Sequence, residues 1–469
     1  MKTTFNWALA VAAIFPAAIS NLPAQNLAVL HAFSPVDFSF ANQDGAYPTA
    51  ELALLGNVLY GAASQGGQNS GGTLFTVGTN GTGFKTLHSF TPGSAGDGAY
   101  PMGGLAESGG NLFGTASSGG RLNTGAIFRL NLDGTGFTNL YAFSATDIST
   151  GTNADGSSPW AALAVSGTTL FGTATQGGDA GSGTIFKIST DGTGFVRLHS
   201  FGALDPASGT NSDGAFPLGG VVVWSNTLYG TTYRGGALGT GTVFTLNLDG
   251  SGFKTLKSLD GGSRAALAVI NGGLYGTTEA GGAFGGGTVF KMNTDGTGFT
   301  NLVNFANTPG DGPWAGLVLS SNNVLFGTTH AGGDAGQGSV FQLALDGTGF
   351  QTVYSFSGGN DGGHPQARLT QAGNVLFGTA SDGSTSGDGD VFSLTPSQTG
   401  AQQLAIEISG SNVILQWPNS GAGSKLQVTR SLSPPITWSA VQTAPAVVNG
   451  FNTVTNPISG SAGFYRLSP

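Results

Sequence analysis

Three residues that can carry acid–base chemistry share one repeated position of the sequence. Tyr233, Glu279 and His330 each lie five residues after the leucine of a Leu-(Phe/Tyr)-Gly word. The other four copies of the word have a hydroxyl residue there, namely Ser64, Ser117, Thr175 and Ser381. A carboxylate, an imidazole and a phenol close together could remove and return a proton. Because the three residues belong to consecutive repeats, we expect them to converge on one side of the molecule.

Two arginines accompany these residues. Arg234 directly follows Tyr233, and Arg264 stands where a Pro is expected in its repeat. Arginine could hold a carboxylate or an oxyanion, so the set fits proton abstraction next to a uronate, as in a polysaccharide lyase. The alternative is neutral variation at solvent-facing positions. A glycosidase pair has less support, because Glu51 and Glu107 have no evident partner carboxylate.

A second recurring word, Asp-Gly-x-x-Pro, could bind cations. It starts at Asp44, Asp97, Asp155, Asp213 and Asp361, whereas Asp311 keeps the Asp-Gly with its Pro displaced and Asp260 lacks the Pro. A ring of carboxylates could hold Ca²⁺, which prefers oxygen ligands. Asp-Gly is also ordinary turn chemistry, in which the Asp side chain accepts hydrogen bonds from nearby backbone. We favour the turn interpretation, with no metal or cofactor required.

Aromatic residues stand beside these words and could stack on sugar rings. They are Tyr47, Tyr100, Trp160, Phe216 and Trp314. Neighbouring carboxylates would accept hydrogen bonds from sugar hydroxyls. The candidate ligand-binding residues are therefore Tyr100, Trp160, Trp314, Arg234 and Arg264. In the competing interpretation the aromatic rings fill the loop against the neighbouring repeat.

The composition limits the classes of protein. The chain of 469 residues is 39% hydrophobic and contains 83 Gly and 31 Phe, which indicates many short strands joined by tight turns. The net charge of −9 argues against a nucleic-acid partner, because phosphates need a basic surface. With no cysteine, disulfides, thiol chemistry and Cys-ligated metals are excluded.

A repeat of about 50 residues positions these candidates. The Leu-(Phe/Tyr)-Gly word starts at Leu59, Leu112, Leu170, Leu228, Leu274, Leu325 and Leu376. Each unit reads as four short strands, which is typical of a propeller blade. Third-strand words occur seven times, yet a fourth-strand word follows only six of them. The missing strand is LAVLHAF at 27–33, so we predict an all-β, seven-bladed β-propeller over 25–400, closed by the N-terminal strand.

The unit also resembles a known tandem repeat. The words L-(F/Y)-G-T-(T/A), G-T-(V/I)-F and D-G-T-G-F occur together in LYGTTEAGGAFGGGTVFKMNTDGTGF, residues 274–299. They resemble the GloVer repeats of secreted proteins from Gloeobacter- and Verrucomicrobia-type bacteria, over roughly residues 26–395. That resemblance implies a secreted repeat protein and brings no established activity.

The two ends of the chain differ from the repeats. Residues 1–24, with a Lys, an apolar stretch and small residues, predict a secretory signal peptide and not a membrane span. Residues 401–469 lack the repeat word and predict a small β-sandwich with Trp417, Trp438 and Tyr465 in its core. This module resembles the fibronectin-like modules that end many secreted Verrucomicrobia proteins, where sorting or surface attachment is suspected.

These features predict a secreted or cell-surface, monomeric and non-catalytic propeller. It would bind a polysaccharide or a cell-surface protein on one face, and the C-terminal module would attach or sort it. An extracellular polysaccharide lyase or hydrolase using Glu279 and His330 is one alternative. A structural envelope or matrix protein is the other, and fold alone does not decide among them.

Overall fold

The chain divides into two compact units at Pro396. The computed structural model describes residues 26–93, 97–396, 405–409, 412–418, 425–429, 437–448, 451–457 and 464–468. The signal peptide predicted over 1–24 lies outside these residues. The described segments are strands, turns and loops, and they contain no helix long and apolar enough to cross a membrane.

The first unit contains seven four-stranded antiparallel sheets. Sheet 1 has the strands Ala53–Leu55 (β2), Val58–Ala63 (β3), Thr73–Gly78 (β4) and Lys85–Ser89 (β5). Sheet 2 has Ala106–Ser108 (β6), Asn111–Ala116 (β7), Ala126–Asn131 (β8) and Thr138–Ala142 (β9). Sheet 3 has Ala164–Ser166 (β10), Thr169–Ala174 (β11), Thr184–Ser189 (β12) and Val196–Ser200 (β13). Sheet 4 has Val222–Trp224 (β14), Thr227–Thr231 (β15), Thr242–Asn247 (β16) and Lys254–Ser258 (β17).

The remaining three sheets repeat the pattern. Sheet 5 has Ala268–Ile270 (β18), Gly273–Thr278 (β19), Thr288–Asn293 (β20) and Thr300–Asn304 (β21). Sheet 6 has Val318–Leu319 (β22), Val324–Thr329 (β23), Ser339–Ala344 (β24) and Gln351–Ser355 (β25). Sheet 7 has Thr370–Ala372 (β26), Val375–Ala380 (β27) and Asp390–Thr395 (β28), and its fourth strand is Asn26–Ala32 (β1).

The N-terminal strand thus belongs to the same sheet as the last strand of the repeats. β1 pairs antiparallel with β28, from Asn26 opposite Thr395 to Ala32 opposite Asp390. This pairing occupies the edge that would otherwise be left open on β28. The segment LAVLHAF therefore lies where the count of fourth strands predicts it.

The repeat word is explained by one contact that recurs in all seven sheets. The glycine of the word packs against the phenylalanine of the third strand, as Gly276 does against Phe290. A Cβ atom on Gly276 would lie 2.5 Å from Phe290 Cζ, and the same distance recurs in every sheet. Only glycine lets the aromatic ring lie across the second strand this closely.

Apolar clusters join consecutive sheets. One cluster joins sheets 1 and 2, and the series continues to a seventh cluster that joins sheet 7 to sheet 1. In that seventh cluster Phe33 and Phe377 pack with Leu52 and Phe75. One cavity of about 860 Å³ is lined by the segments that lead into the first strands of all seven sheets, and by residues of the first strands themselves in every sheet except sheet 5. The unit is therefore propeller-like, and its seven sheets fit the predicted number of blades.

The described residues of the C-terminal unit form seven strands in two sheets. One sheet is ordered Ala405–Ser409 (β29), Asn412–Pro418 (β30), Phe451–Pro457 (β34) and Ala446–Val448 (β33). The other is ordered Ser439–Ala440 (β32), Lys425–Thr429 (β31) and Phe464–Ser468 (β35). Trp417 and Leu426 are buried in one cluster with residues of both sheets, and Tyr465 packs against it. Trp438 is half-buried. The unit is small and all-β, and the fibronectin resemblance stays a prediction.

Asp390 is an exception to the repeat pattern. The equivalent position in five other sheets holds a hydroxyl residue, and Thr73 Oγ1 donates to the Asp44 carbonyl at 2.8 Å. Asp390 is fully buried, and neither carboxylate oxygen has a hydrogen-bond partner among the described residues. Burial, and then the nearby Asp361, raise the pKa of Asp390 to about 8. The carboxyl group is therefore mostly protonated at neutral pH.

We expect Asp390→Thr to stabilise the protein at neutral pH. The folded-state pKa of Asp390 lies above its unfolded value, so the folded state holds the proton more tightly and loses stability as pH rises from about 4 to about 8. This loss of stability is about 1.4 kcal/mol per pH unit in that interval. A threonine at this position does not titrate, so the variant should keep this stability as the pH rises. Urea unfolding at pH 4 and pH 7 measures the difference, with the exposed Asp334→Thr as control. The same pH dependence in Asp390→Thr and wild type would contradict the assignment.

Candidate functional site

Two sets of loops bring the candidate residues to one face, here called the top face. One set joins the fourth strand of a sheet to the first strand of the next, and the other joins the second strand to the third. Backbone bridges connect them within a repeat, as between Ala46 and Gln65 or between Ala215 and Arg234. The Asp-Gly word of a repeat therefore lies beside the end of its second strand. In three repeats that end carries Tyr233, Glu279 or His330.

The Asp carboxylates of the regular words bond to the fourth strand that precedes them and to their own loop. Asp155 accepts hydrogen bonds from the Tyr141 hydroxyl at 2.7 Å and the Ser144 backbone N–H at 2.9 Å. Equivalent fourth-strand partners lie 2.8 to 3.3 Å away in four more repeats, as the pairs His31–Asp44, His88–Asp97, His199–Asp213 and Tyr354–Asp361. The described residues contain no group of three His, Asp or Glu that could hold a metal. Turn chemistry accounts for this geometry, whereas Ca²⁺ would need the carboxylates to turn away from these partners.

The fourth-strand His or Tyr is a structural residue that the sequence analysis missed. His31 also stacks on Phe84 of the next sheet, with ring centroids 3.5 Å apart, and His199 stacks likewise on Phe253. His88 and Tyr141 stack in the same way, so these four side chains each join a loop carboxylate to the neighbouring sheet. A signal was present in the sequence, because Lys257 and Val303 replace the donor in the two repeats whose Asp-Gly-x-x-Pro word is irregular, at Asp260 and Asp311.

Tyr233, Glu279 and His330 lie along one row on the top face, connected by two residues of other loops. The Arg264 guanidinium carbon is 4.8 Å from the centroid of the Tyr233 ring and 4.3 Å from that of Trp314. Trp314 stacks on His330 with centroids 3.7 Å apart. The His364 ring follows, with its centroid 4.9 Å from that of His330. We call this set the aromatic row: Tyr233, Arg264, Trp314, His330 and His364.

Two carboxylates fix the ends of the aromatic row. Glu279 forms an ion pair with Arg264 Nε and lies 3.5 Å from the Tyr233 hydroxyl. His364 Nδ1 lies 2.8 Å from Asp382 Oδ1. Arg234 is exposed, and its guanidinium carbon lies 5.3 Å from the centroid of the Tyr233 ring. The predicted acid–base residues therefore lie close together, but Arg264 and Trp314 stand between the Tyr233 and His330 rings.

The electrostatics of the aromatic row disfavour proton transfer at neutral pH. Burial, followed by the neighbouring His364, lowers the pKa of His330 to about 4. A base works best when its pKa is near the working pH, so His330 is a poor base near neutrality. Glu279 is already engaged by Arg264. The arrangement is better suited to holding a ligand than to abstracting a proton.

Next to the top face, one residue from each repeat lines the cavity. These seven residues, here called the mouth ring, are Thr49, Met102, Trp160, Leu218, Arg264, Trp314 and Gln366. The expectation that Arg264 replaces the Pro was wrong by one residue, because backbone pairing puts Ser263 at the Pro position. Trp160 exposes 37% of its surface, and Tyr100 on the adjoining loop exposes 39%. Both have aromatic surface that a ligand could contact, whereas the Trp314 ring is already engaged by Arg264 and His330.

Several loop residues beside the mouth ring have an unfavourable backbone conformation. Tyr47, Tyr100, Phe216 and His364 have φ between 50° and 56°, the left-handed region that favours glycine. The sixth repeat has Gly312 at this position. A side chain held there costs on the order of 1–3 kcal/mol. Aromatic rings and an imidazole at such positions suggest that the side chains themselves have a role.

Fold and site together define a propeller-like repeat protein with one elaborated face. The sequence model described as the Gloeobacter/Verrucomicrobia repeat matches residues 31–153, 146–270 and 262–421. These matches span most of the chain, so the protein belongs to the Gloeobacter/Verrucomicrobia repeat family. No curated protein matches the sequence.

Solved structures of similar fold are distant. An oligogalacturonate lyase in complex with manganese is 10% identical, with 80% of this chain and 94% of that chain covered and a TM-score of 0.48. The GH74 enzyme of Niastella koreensis is 14% identical over 91% of this chain and 72% of that one, with a TM-score of 0.48. TolB from Acinetobacter baumannii is 14% identical over 59% and 58%, with a TM-score of 0.36. Similarities at this level carry no argument about activity.

We expect the Asp-Gly carboxylates to act through the folded structure. Asp155→Ala leaves the Tyr141 hydroxyl and the Ser144 N–H without their partner and should lower the free energy of unfolding by about 2–3 kcal/mol. Asp179→Ala, at an exposed carboxylate paired with Arg197, should change it by less than about 1 kcal/mol. Thermal unfolding with and without EDTA completes the test. A lower melting temperature of the wild type in EDTA would instead identify a bound metal.

Proposed function

We propose that the seven sheets form a closed seven-bladed propeller that binds a saccharide at its mouth ring without catalysing a reaction. The pairing of β1 with β28, the apolar cluster between sheets 7 and 1, and the cavity lined by all seven sheets support the ring. The predicted signal peptide and the family membership support an extracellular or cell-surface location. On this proposal the C-terminal unit attaches or sorts the protein.

The observation that carries the proposal is exposed aromatic surface at the opening of a deep cavity. Trp160 lines the cavity, and Tyr100 adjoins it, yet each keeps more than a third of its surface exposed. The C–H faces of sugar rings pack on such aromatic faces, while a few polar groups fix their orientation. Gln366 and Arg264 supply polar groups on the other side of the same opening.

The alternatives fit the molecule less well. A lyase acting on uronate polymers would have to attract polyanions to a protein of net charge −9. It would also need a base, but the pKa of His330 is lowered to about 4 and Glu279 is paired with Arg264. In a purely structural repeat protein, identical side chains around the opening would serve as well as the varied ones of the mouth ring.

We expect Trp160→Ala to remove most saccharide binding. Wild-type protein is screened on an array of neutral and acidic glycans, and the strongest hits are titrated by calorimetry. Loss of the exposed ring should weaken binding by roughly tenfold or more, as expected for truncation of an aromatic anchor. Trp224→Ala is the matched control, because Trp224 exposes 41% of its surface but does not line the cavity. Absence of any glycan binding by the wild type would rule out the proposal.

A further inference from the structure

A second layer of the cavity lies beyond the mouth ring. Two residues after each member of the mouth ring, in the segment that leads into the first strand, the chain contributes one further residue to the cavity wall. These residues are Glu51, Gly104, Ala162, Gly220, Ala266, Gly316 and Arg368. Five of these residues are Gly or Ala, so almost no side-chain atoms project into the cavity from their part of the wall. The other two, in sheets 1 and 7, form an ion pair in which Arg368 Nε lies 2.9 Å from Glu51 Oε1.

The ion pair loses part of its hydration where it joins two sheets, because each side chain keeps only about a third of its surface exposed. Charges lose hydration when protein surrounds them, and burial raises the pKa of Glu51 while the nearby Arg368 opposes that shift. From sheet 2 to sheet 6 the same layer of the cavity wall consists of Gly and Ala alone. A structural role by itself therefore gives little reason for two charges at this place.

The pair keeps most of its hydrogen-bonding capacity open to the cavity. Within the described part of the chain, Arg368 uses only its Nε and Glu51 only its Oε1. Arg368 exposes 38% of its side-chain surface and Glu51 exposes 32%, and both line the cavity. The two guanidinium Nη groups remain as donors and Glu51 Oε2 as an acceptor, side by side.

Such a surface suits hydroxyl groups better than anions. A hydroxyl group donates and accepts, so two neighbouring hydroxyls can accept from Arg368 and donate to Glu51 at once. An anion would approach the Glu51 carboxylate as closely as the Arg368 guanidinium, and the pair has no net charge to attract it. The protein's charge of −9 opposes anions further.

We propose that Glu51 and Arg368 bind neighbouring hydroxyl groups at the end of a neutral saccharide that enters the cavity through the mouth ring. The proposal rests on the saccharide function proposed above and adds the class of ligand. It also assigns separate roles, in which Trp160 packs on a sugar ring and the ion pair selects hydroxyls over carboxylates.

The test compares neutral and acidic probes on the full-length protein. Cellohexaose, mannohexaose and xylohexaose serve as neutral probes, trigalacturonate serves as the acidic probe, and binding is measured by calorimetry. At least one neutral probe should bind the wild type more tightly than trigalacturonate does. Glu51→Gln and Arg368→Gln should each weaken that neutral binding by roughly tenfold or more. The double variant should be little weaker than either single one, since the two groups act together.

Two further variants separate recognition from structure. Arg197→Gln removes one member of the exposed Arg197–Asp179 pair, which does not line the cavity, and should leave binding unchanged. Glu51→Gln should gain affinity for trigalacturonate, because Arg368 then lacks its counter-charge. If a glutamine variant does not fold, Arg368→Lys keeps the charge but loses the planar fork and should still weaken neutral binding.

The outcomes distinguish this proposal from the function it rests on. If neutral probes bind and Trp160→Ala weakens them, but Glu51→Gln and Arg368→Gln bind like the wild type, the ion-pair proposal is overturned and the saccharide function stands. Preference of the wild type for trigalacturonate would also overturn it. If the wild type binds none of the probes and no glycan on the array, the proposed function itself fails.

Discussion

The antiparallel pairing of β1 with β28 is the contact that completes the last sheet of the first unit. Without β1, sheet 7 would have three strands and an open edge, and Phe33 would be lost from the apolar cluster that joins sheets 7 and 1. Glu51 and Arg368 stand on either side of that same junction. The pairing of β1 with β28 and the ion pair therefore lie at the two sheets, 7 and 1, that contain the ends of the first unit.

The repeats divide their residues between a fixed scaffold and a variable face. The glycine–phenylalanine contact leaves no room for another residue and recurs in all seven sheets. The mouth ring has no such constraint, because its side chains point to a cavity where many sizes fit. Seven similar sheets can thus present seven different side chains around one opening, and the aromatic row runs along sheets 4 to 7 only.

The sequence predicts the scaffold well, because strand patterns and Gly-rich turns are local signals. It also places Tyr233, Glu279 and His330 on one side of the molecule, from their shared position in consecutive repeats. It does not reveal that Arg264 engages Glu279, because this depends on how two loops orient long side chains. Nor does it reveal a partner for Glu51, since Arg368 lies 317 residues away and becomes its neighbour only when the first and last sheets meet.

The shared sheet of the two chain ends has a consequence for biosynthesis. β1 leaves the ribosome first, yet its partner β28 is made more than 350 residues later. The entropy cost of so distant a pairing grows only with the logarithm of the separation, whereas contacts this remote in sequence slow folding strongly. Six of the sheets are each built from four consecutive strands, whereas the backbone groups of β1 stay unpaired until β28 has been made. The pairing of β1 with β28 therefore cannot form until all the other strands of the first unit have been synthesised.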